Sequence, residues 1–238
     1  QAFNGNFNWI IERRLDDGQR DNTFSGSGLA SVDMGNKDQF GTLGAVTTAG
    51  ILVVGQSFNG ASFDGTLLRL KPDGFPDGTF GTSGLASTDL GDTDRYFAAV
   101  LDTSGRVVSG GQARATDDDL LITRHTPAGT PDPSFGTAGI VRIDRGPDEN
   151  VRAIAILPDG RIVAAGYRDN AGETISVIAL LDSAGTVLDV RDVDLGPGDD
   201  AIQDLQIDHH GRLVALGSVD DSVDPTITDF VIARFVVP

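Results

Sequence analysis

Apolar residues along this chain come in runs of four to eight, rich in Val, Ile and Leu and separated by clusters of Gly, Asp and Pro. No stretch repeats apolar residues at positions i, i+3, i+4 and i+7 across three turns, as an amphipathic helix would. Glycine contributes 31 of the 238 residues, nearly twice the usual share of about 7%, which favours many tight turns. The pattern predicts short β-strands and an all-β fold.

The runs recur with a period near 55 residues, and three sets of glycines mark that period. The sets are Gly18, Gly74, Gly129 and Gly185; Gly55, Gly111, Gly166 and Gly217; and Gly35, Gly91, Gly146 and Gly196. The first set lies in a turn that is written three times in nearly the same form. We therefore expect a single domain of repeats with boundaries near 1–35, 36–91, 92–146, 147–196 and 197–238.

Each repeat is predicted to contain four strands, which we label a, b, c and d in chain order. In one repeat the first three read VRAIAIL, RIVAAGY and TISVIALL, and strand d reads GIVRID or GLASTD in the neighbouring repeats. A tight turn such as PDG joins a to b, as in a β-hairpin. Four short antiparallel strands cannot bury both faces alone, but they can when packed radially as blades. We therefore predict a β-propeller of four or five four-stranded antiparallel blades.

The predicted inventory is four a, four b, five c and four d strands, because the chain starts with c and d and ends with a, b and c. A four-bladed ring can close if the N-terminal d strand completes the last blade and hides its edge, but one c strand is then left over. A five-bladed ring with a two-stranded blade would use that strand. A larger ring shared between two chains would use it as well.

The corner between strands c and d carries a recurring polar motif. Its copies are Asp21, Thr23 and Phe24; Asp77, Thr79 and Phe80; and Asp132, Ser134 and Phe135. We expect the aspartate and the hydroxyl to close a turn and the phenylalanine to anchor that turn between blades. An arginine near the end of strand c is expected to pair with a nearby aspartate; this series is Arg13, Arg69, Arg124 and Arg234, and Leu180 interrupts it.

These strings resemble the delta-60 repeat, a bacterial β-propeller-like repeat. The resemblance is carried by PDGRIVAAG (158–166), LLRLKPDGFPDGTFGTSG (67–84) and LITRHTPAGTPDPSFGTAG (121–139), and it extends over residues 8–237. It implies an exported or surface-associated bacterial protein and brings no established activity. The fourth repeat departs from it, since SAGTVLDVRDVDLG lacks the Asp-x-Ser/Thr-Phe-Gly segment. We expect that corner to be built differently.

Two acidic positions recur around the end of strand d. The first set is Asp33, Asp89, Asp144 and Asp194, and the second is Asp38, Asp94, Glu149 and Asp199. We expect the first set to accept amide hydrogen bonds in the d–a loop. The second set leads into strand a, which lines the channel of a propeller, so its carboxylates are a candidate site for a hard cation such as Ca²⁺ at the channel mouth. The alternative is that each carboxylate caps its own loop or points into solvent.

The net charge is −17, from 35 acidic and 18 basic residues. This charge disfavours a nucleic-acid partner and favours cations and basic protein surfaces. The chain has no cysteine for a disulfide, and no apolar stretch reaches the about 20 residues of a membrane span. Since the chain begins at Gln1 rather than Met, we expect that an upstream segment was removed, either by a signal peptidase or by the choice of the expressed segment. The resemblance to the delta-60 repeat implies that the protein is secreted, on the cell surface or periplasmic.

Catalytic signatures are missing from the sequence. His125, His209 and His210 occupy unrelated repeat positions, and no G-x-S-x-G, P-loop or G-x-G-x-x-G motif occurs. The acidic strings DDD (117–119) and DDSVD (220–224) resemble no calcium-loop spacing, so we interpret them as solvated b–c loops.

The sequence therefore favours a non-enzymatic binding propeller of an exported bacterial protein, with an unidentified protein or glycan as its ligand. One alternative is a carboxylate-dependent hydrolase that acts on a glycan at the propeller face. Another is a structural module of a larger surface protein, which the mid-blade start favours. In each case we expect a monomer or a homo-oligomer that completes the ring.

Overall fold

The strands begin and end close to the Gly, Asp and Pro clusters that separate the apolar runs. The computed structural model describes residues 8–33, 39–196, 198–220 and 228–235, and these residues contain 17 strands and no helix. Within these ranges, nothing helical has the length and apolarity to cross a membrane. The all-β prediction is confirmed.

The strands pack into two compact units, one of residues 1–96 with 127–130 and one of residues 97–126 with 131–238. The first unit contains β1 (Trp9–Glu12), β2 (Leu29–Val32), β3 (Gln39–Thr47), β4 (Gly50–Phe58), β5 (Phe63–Leu70) and β6 (Leu85–Thr88). Strand β7 (Asp94–Leu101) passes from the first unit to the second after Tyr96. The second unit continues with β8 (Val107–Arg114), β9 (Asp118–His125), β10 (Ile140–Ile143), β11 (Glu149–Ile156), β12 (Ile162–Asn170), β13 (Glu173–Leu181), β14 (Val187–Val193), β15 (Asp200–Ile207), β16 (Leu213–Asp220) and β17 (Thr228–Phe235). The prediction that residues 1–238 form one domain stays a prediction.

The order of strands in each sheet follows the order in the chain. Four-stranded sheets are formed by β3–β6, β7–β10 and β11–β14, a three-stranded sheet by β15–β17 and a two-stranded sheet by β1 and β2. Neighbouring strands of β3–β6, β11–β14 and β15–β17 pair antiparallel. This is the predicted a-b-c-d order, and the strand inventory of the described residues matches the predicted one.

A β-bulge in strand a explains the glycine that follows the Val-rich run in two of the repeats. In β11 the register shifts between Val151 and Ala153, opposite Gly166 on β12, and the same shift occurs opposite Gly217. A Cβ atom at Gly166 would lie 2.0 Å from the carbonyl oxygen of Asn150. Only glycine therefore lets the bulged backbone come this close.

The hydrophobic core lies between the faces of neighbouring sheets. In the second unit, Leu120 and Ile122 of β9 join one buried cluster with Val151 and Ile154 of β11. In the first unit, Trp9 of β1 belongs to a cluster with residues of β4 and β5. Each large apolar side chain that is fully buried in this way contributes about 1.5–3 kcal/mol. Face-to-face stacking thus buries apolar side chains on the facing surfaces of these sheets.

The corner before β14 is built differently, as predicted. Leu181 at the end of β13 pairs directly with Val187, the first residue of β14. The side chain of Asp182 closes the short turn, because its Oδ1 accepts hydrogen bonds from the backbone N–H groups of Ala184 and Thr186, both at 2.8 Å. Without a phenylalanine-containing corner, strand d extends to seven residues instead of the four of β6 and β10.

Candidate functional site

A recurring set of contacts holds the corner between strands c and d, and we call it the corner latch. In each copy the arginine Nε donates to the aspartate Oδ2 at 2.8 Å. The aspartate Oδ1 accepts from the backbone N–H and from the hydroxyl of the Thr or Ser two residues later. The copies are Arg13–Asp21–Thr23–Phe24, Arg69–Asp77–Thr79–Phe80 and Arg124–Asp132–Ser134–Phe135. The predicted turn and the predicted ion pair are confirmed for these three copies.

The corner latch also joins each repeat to the next. Arg13 and Arg69 donate from Nη1 to the carbonyl oxygens of Pro72 and Pro127, each at 2.6 Å, and Arg124 donates to that of Ser183. Each guanidinium lies 4.6–4.8 Å from the centroid of the phenylalanine ring in its own latch. The polar side chains of the repeated turn therefore stabilise the fold, because they hydrogen-bond within their own corner and to the next repeat.

The turn glycine forms the seat for the phenylalanine of the preceding repeat. Phe24, Phe80 and Phe135 are all fully buried. A Cβ atom at Gly74 would lie 2.7 Å from the ring of Phe24, and one at Gly185 would lie 2.9 Å from the ring of Phe135. The turn is written repeatedly because Phe24, Phe80 and Phe135 are each received by the turn glycine of the following repeat, Gly74, Gly129 and Gly185. The predicted anchoring of the phenylalanine is confirmed.

The first recurring set of carboxylates braces the d–a loops. The Oδ1 atoms of Asp89, Asp144 and Asp194 accept from the backbone N–H of the glycine two residues later, at 2.8, 3.0 and 2.9 Å. The amide hydrogen bonds predicted for this set are therefore confirmed at these three positions.

Two members of the predicted cation set, Asp94 and Glu149, occupy equivalent places. Both side chains are completely buried at the start of a strand a. Each accepts a hydrogen bond from the backbone N–H four residues earlier, Leu90 to Asp94 at 2.7 Å and Arg145 to Glu149 at 3.0 Å. They cap their own loops, which was the alternative reading of this set.

The other two members differ. Asp199 is exposed and accepts from the backbone N–H of Thr174 at 2.6 Å, whereas Asp200 is buried and accepts from Leu195 N–H at 3.3 Å. Asp200 thus takes the equivalent place, because the loop after Gly196 is one residue longer. Asp38 lies outside the described residues. The gathering of Asp38, Asp94, Glu149 and Asp199 at one channel mouth stays a prediction.

Glu149 instead meets two other carboxylates. One oxygen each of Asp119, Asp144 and Glu149 lies within 4.8 Å of the other two, and we call this group the acidic triad. It is the one such group of three or more acidic, histidine or cysteine side chains in the ranges that the structure describes. Asp119 is on β9, Asp144 follows β10 and Glu149 begins β11.

The sequence interpretation missed Asp119. It was grouped with the solvated DDD loop, but the structure places it on a strand, 7% exposed, with the guanidinium of Arg142 bound to its Oδ2. A signal was present, since Asp119 precedes the fully apolar Leu120–Leu121 pair and Arg142 stands where the preceding repeat has Ser87. Arg142 lies opposite Leu121, so Asp119 is its diagonal neighbour, and opposite charges at such positions of strands c and d indicate contact across the sheet.

Burial and like charges together disfavour the ionised form of Glu149. Burial, helped by the nearby carboxylates of Asp144, Asp119 and Asp117, raises the pKa of Glu149 to about 7 against the opposing hydrogen bond from Arg145 N–H. Its Oε1 accepts that hydrogen bond, while its buried Oε2 has no hydrogen-bond partner among the described residues. Such an oxygen is costly to bury unless a cation or proton satisfies it.

The histidines form no catalytic arrangement with the acidic triad in the described part of the chain. His125 is 1% exposed and occupies the repeat position of the buried Leu70 and Leu181. Burial lowers the pKa of His125 to about 4, so the imidazole is neutral at physiological pH. His209 and His210 lie in an exposed turn.

Residues 51–80 and 157–187 match the family described as "Domain of unknown function (DUF5122) beta-propeller". The chain carries a β-propeller-type repeat. The two matched segments cover strands b and c of two repeats, the first together with its corner latch, and about a quarter of the chain in total. No curated protein matches the chain.

Proposed function

We propose that the chain is a non-enzymatic binding module of an exported protein, and that its blades present an acidic end to a basic protein surface. The observation that carries this proposal is the difference between the two ends of the blades in the second unit. At the end that carries the a–b turns, each turn aspartate pairs with an arginine: Asp102 with Arg106, Asp159 with Arg161 and Asp208 with Arg212, at 2.6–2.8 Å.

The opposite end, with the b–c and d–a loops, is not balanced in this way. Five of its carboxylates are exposed: Asp144, Asp148, Glu173, Asp194 and Asp199. None of the five forms an ion pair with another residue of the described ranges. Since exposed carboxylates of one sign raise the local concentration of oppositely charged partners, this end fits a surface rich in Lys and Arg.

The burial of Glu149 supports binding over hydrolysis. A carboxyl with a pKa near 7 beside ionised carboxylates is the arrangement of a general acid in many glycosidases. The side chain of Glu149 is completely buried, however, and both of its oxygens face the protein. A glycan could not reach it without opening the loop, so we assign it no catalytic step.

A lysine-rich peptide of about ten residues tests the proposed binding end by calorimetry at low and at physiological salt. The variant Asp148→Asn/Glu173→Gln/Asp194→Asn should lose at least ten-fold in affinity. The control variant Asp16→Asn/Asp17→Asn/Asp229→Asn removes the same charge from exposed carboxylates elsewhere and should lose less than two-fold. Equal losses would mean that only the total charge attracts the peptide, and the proposed end would be rejected.

We further propose that the blades close into a larger ring that is shared between two copies of the chain. This is supported by Phe230 and Ile232 on β17, which are 90% and 74% exposed. Leu120 and Ile122 hold the same repeat positions on β9 and are buried against the next sheet. Native mass spectrometry should show twice 24.9 kDa, and Phe230→Ser/Ile232→Glu should return the single chain. A wild-type monomer at micromolar concentration would contradict this closure.

A further inference from the structure

We propose that the acidic triad of Asp119, Asp144 and Glu149 is a divalent-cation site that fits Ca²⁺. The proposal rests on the convergence of three carboxylates and on one buried oxygen, Glu149 Oε2, that no described residue satisfies. It does not depend on the proposed basic partner, because the cation would bind within a single chain.

The spacing of the oxygens suits the ionic radius of calcium. Ca²⁺ binds oxygen at 2.3–2.6 Å, so two ligands on opposite sides of the ion are about 4.6–5.2 Å apart. The triad oxygens all lie within 4.8 Å of one another, so one Ca²⁺ can reach all three. Mg²⁺ binds at 2.0–2.1 Å, demands near-ideal octahedral geometry and dehydrates reluctantly, so we expect it to bind this site more weakly than Ca²⁺.

The net charge of the group matches a divalent ion. Three carboxylates contribute three negative charges, and the guanidinium of Arg142, bound to Asp119, offsets one of them. A cation of charge +2 balances the remainder, and it gives Glu149 Oε2 the partner that the fold does not. Asp144 is exposed, so water can complete the coordination and the ion can enter from solvent.

The preceding repeat supplies a natural comparison. It has Asp64, Asp89 and Asp94 at the same three repeat positions, yet among the described residues these do not form such a group. Asp64 accepts from the side-chain amide of Asn59 at 2.7 Å. Both Asp94 and Glu149 accept a hydrogen bond from their own loop, but Asp94 is one methylene shorter. The longer glutamate is what lets one repeat, and not the other, assemble the triad.

Thermal unfolding of the full chain in excess EDTA and in 5 mM CaCl₂ tests the site, together with calorimetric titration of CaCl₂. At a hundred times Kd, binding should raise Tm by roughly 5–10 °C for a chain of this size. The variant Glu149→Gln keeps the shape of the side chain and should abolish both the shift and the binding heat. Asp144→Asn removes an exposed ligand, provides a second variant if Glu149→Gln folds poorly, and should weaken binding at least ten-fold.

The matched control is Asp94→Asn, which alters the same repeat position in the other unit and should keep the full calcium shift. MgCl₂ at the same concentration should give a smaller shift than CaCl₂. The site is disproved if CaCl₂ gives no shift in the wild type, or if the shift persists in both triad variants. The lysine-peptide titration repeated in EDTA separates the two proposals, since loss of calcium binding leaves the acidic end in place.

Discussion

His125 should make the fold sensitive to acid, and His125→Leu should remove that sensitivity. The imidazole is 1% exposed and burial lowers its pKa to about 4, whereas an unfolded chain has a histidine pKa of about 6.5. At a pH between these two pKa values, the histidine is protonated in the unfolded state and neutral in the folded state. Stability from this group is therefore complete above pH of about 6.5 and is lost as the pH falls towards 4.

The size of the effect follows from the two pKa values. Lowering the pH from 7.5 to 4.5 favours the unfolded state by about 2.5 kcal/mol through His125 alone. Leucine is the fitting replacement, because Leu70 and Leu181 occupy the same repeat position and are fully buried there. All other titrating groups, Glu149 included, are present in both proteins and cancel in the difference between them.

Urea unfolding followed by circular dichroism at pH 7.5, 6.0 and 4.5 measures this difference. The free energy of unfolding of His125→Leu, minus that of the wild type, should rise by about 2.5 kcal/mol from pH 7.5 to 4.5. His210→Gln, in an exposed turn, controls for the removal of a histidine. A constant difference between His125→Leu and the wild type would show that the imidazole is hydrated or protonated in the folded state, and the reasoning would fail.

The corner latches and their glycines give further predictions. The Arg124–Asp132 pair is nearly fully buried, with 3% and 9% of the side chains exposed, so Arg124→Met should cost about 3–5 kcal/mol of unfolding free energy in urea. The Arg13 side chain is 37% exposed, so Arg13→Met should cost about 1 kcal/mol or less; equal losses would contradict the ranking. Gly185→Ala should lower the free energy of unfolding by more than about 3 kcal/mol, for two reasons. The new Cβ atom collides with the ring of Phe135 and with Gly136 N, and alanine is strained at the positive φ of 85°. Gly18→Ala has the same backbone strain at φ 82° but no atom within 4 Å of the new Cβ, so it should cost only about 1–2 kcal/mol of unfolding free energy. Similar losses at Gly18 and Gly185 would show that the Cβ at Gly185 does not collide with Phe135.

The strands and their order could be predicted from the sequence because the same pattern of apolar runs and glycines occurs in several repeats. A single Val-rich run is ambiguous, but four runs that each end in glycine at a 55-residue period define strand b and its turn. The corner latch could be predicted for the same reason. Its second role, the contact to the next repeat, could not, because the acceptors at Pro72, Pro127 and Ser183 are backbone carbonyl oxygens, which any residue type supplies.

The candidate site was harder to predict because it depends on departures from the repeat. One extra residue after Gly196 moves the buried carboxylate from Asp199 to Asp200, and counting from the glycine cannot show this. The acidic triad requires a glutamate in place of an aspartate at one repeat position, and an acidic residue inside strand c that belongs by composition to a loop. Both features are single-residue changes whose effect depends on distances between neighbouring strands.

The central claim is that the corners of Gly74, Gly129 and Gly185 each receive the phenylalanine of the repeat before them, and a double-mutant cycle between Phe24 and Gly74 tests it most directly. A Cβ at Gly74 meets the ring of Phe24 at 2.7 Å, so Gly74→Ala should destabilise the wild type by at least about 1 kcal/mol more than it destabilises Phe24→Leu. The φ penalty is the same in both backgrounds and cancels. The cycle of Phe24 with Gly18, which has open space around it, should give a coupling near zero. Equal losses from Gly74→Ala in the two backgrounds would contradict the account.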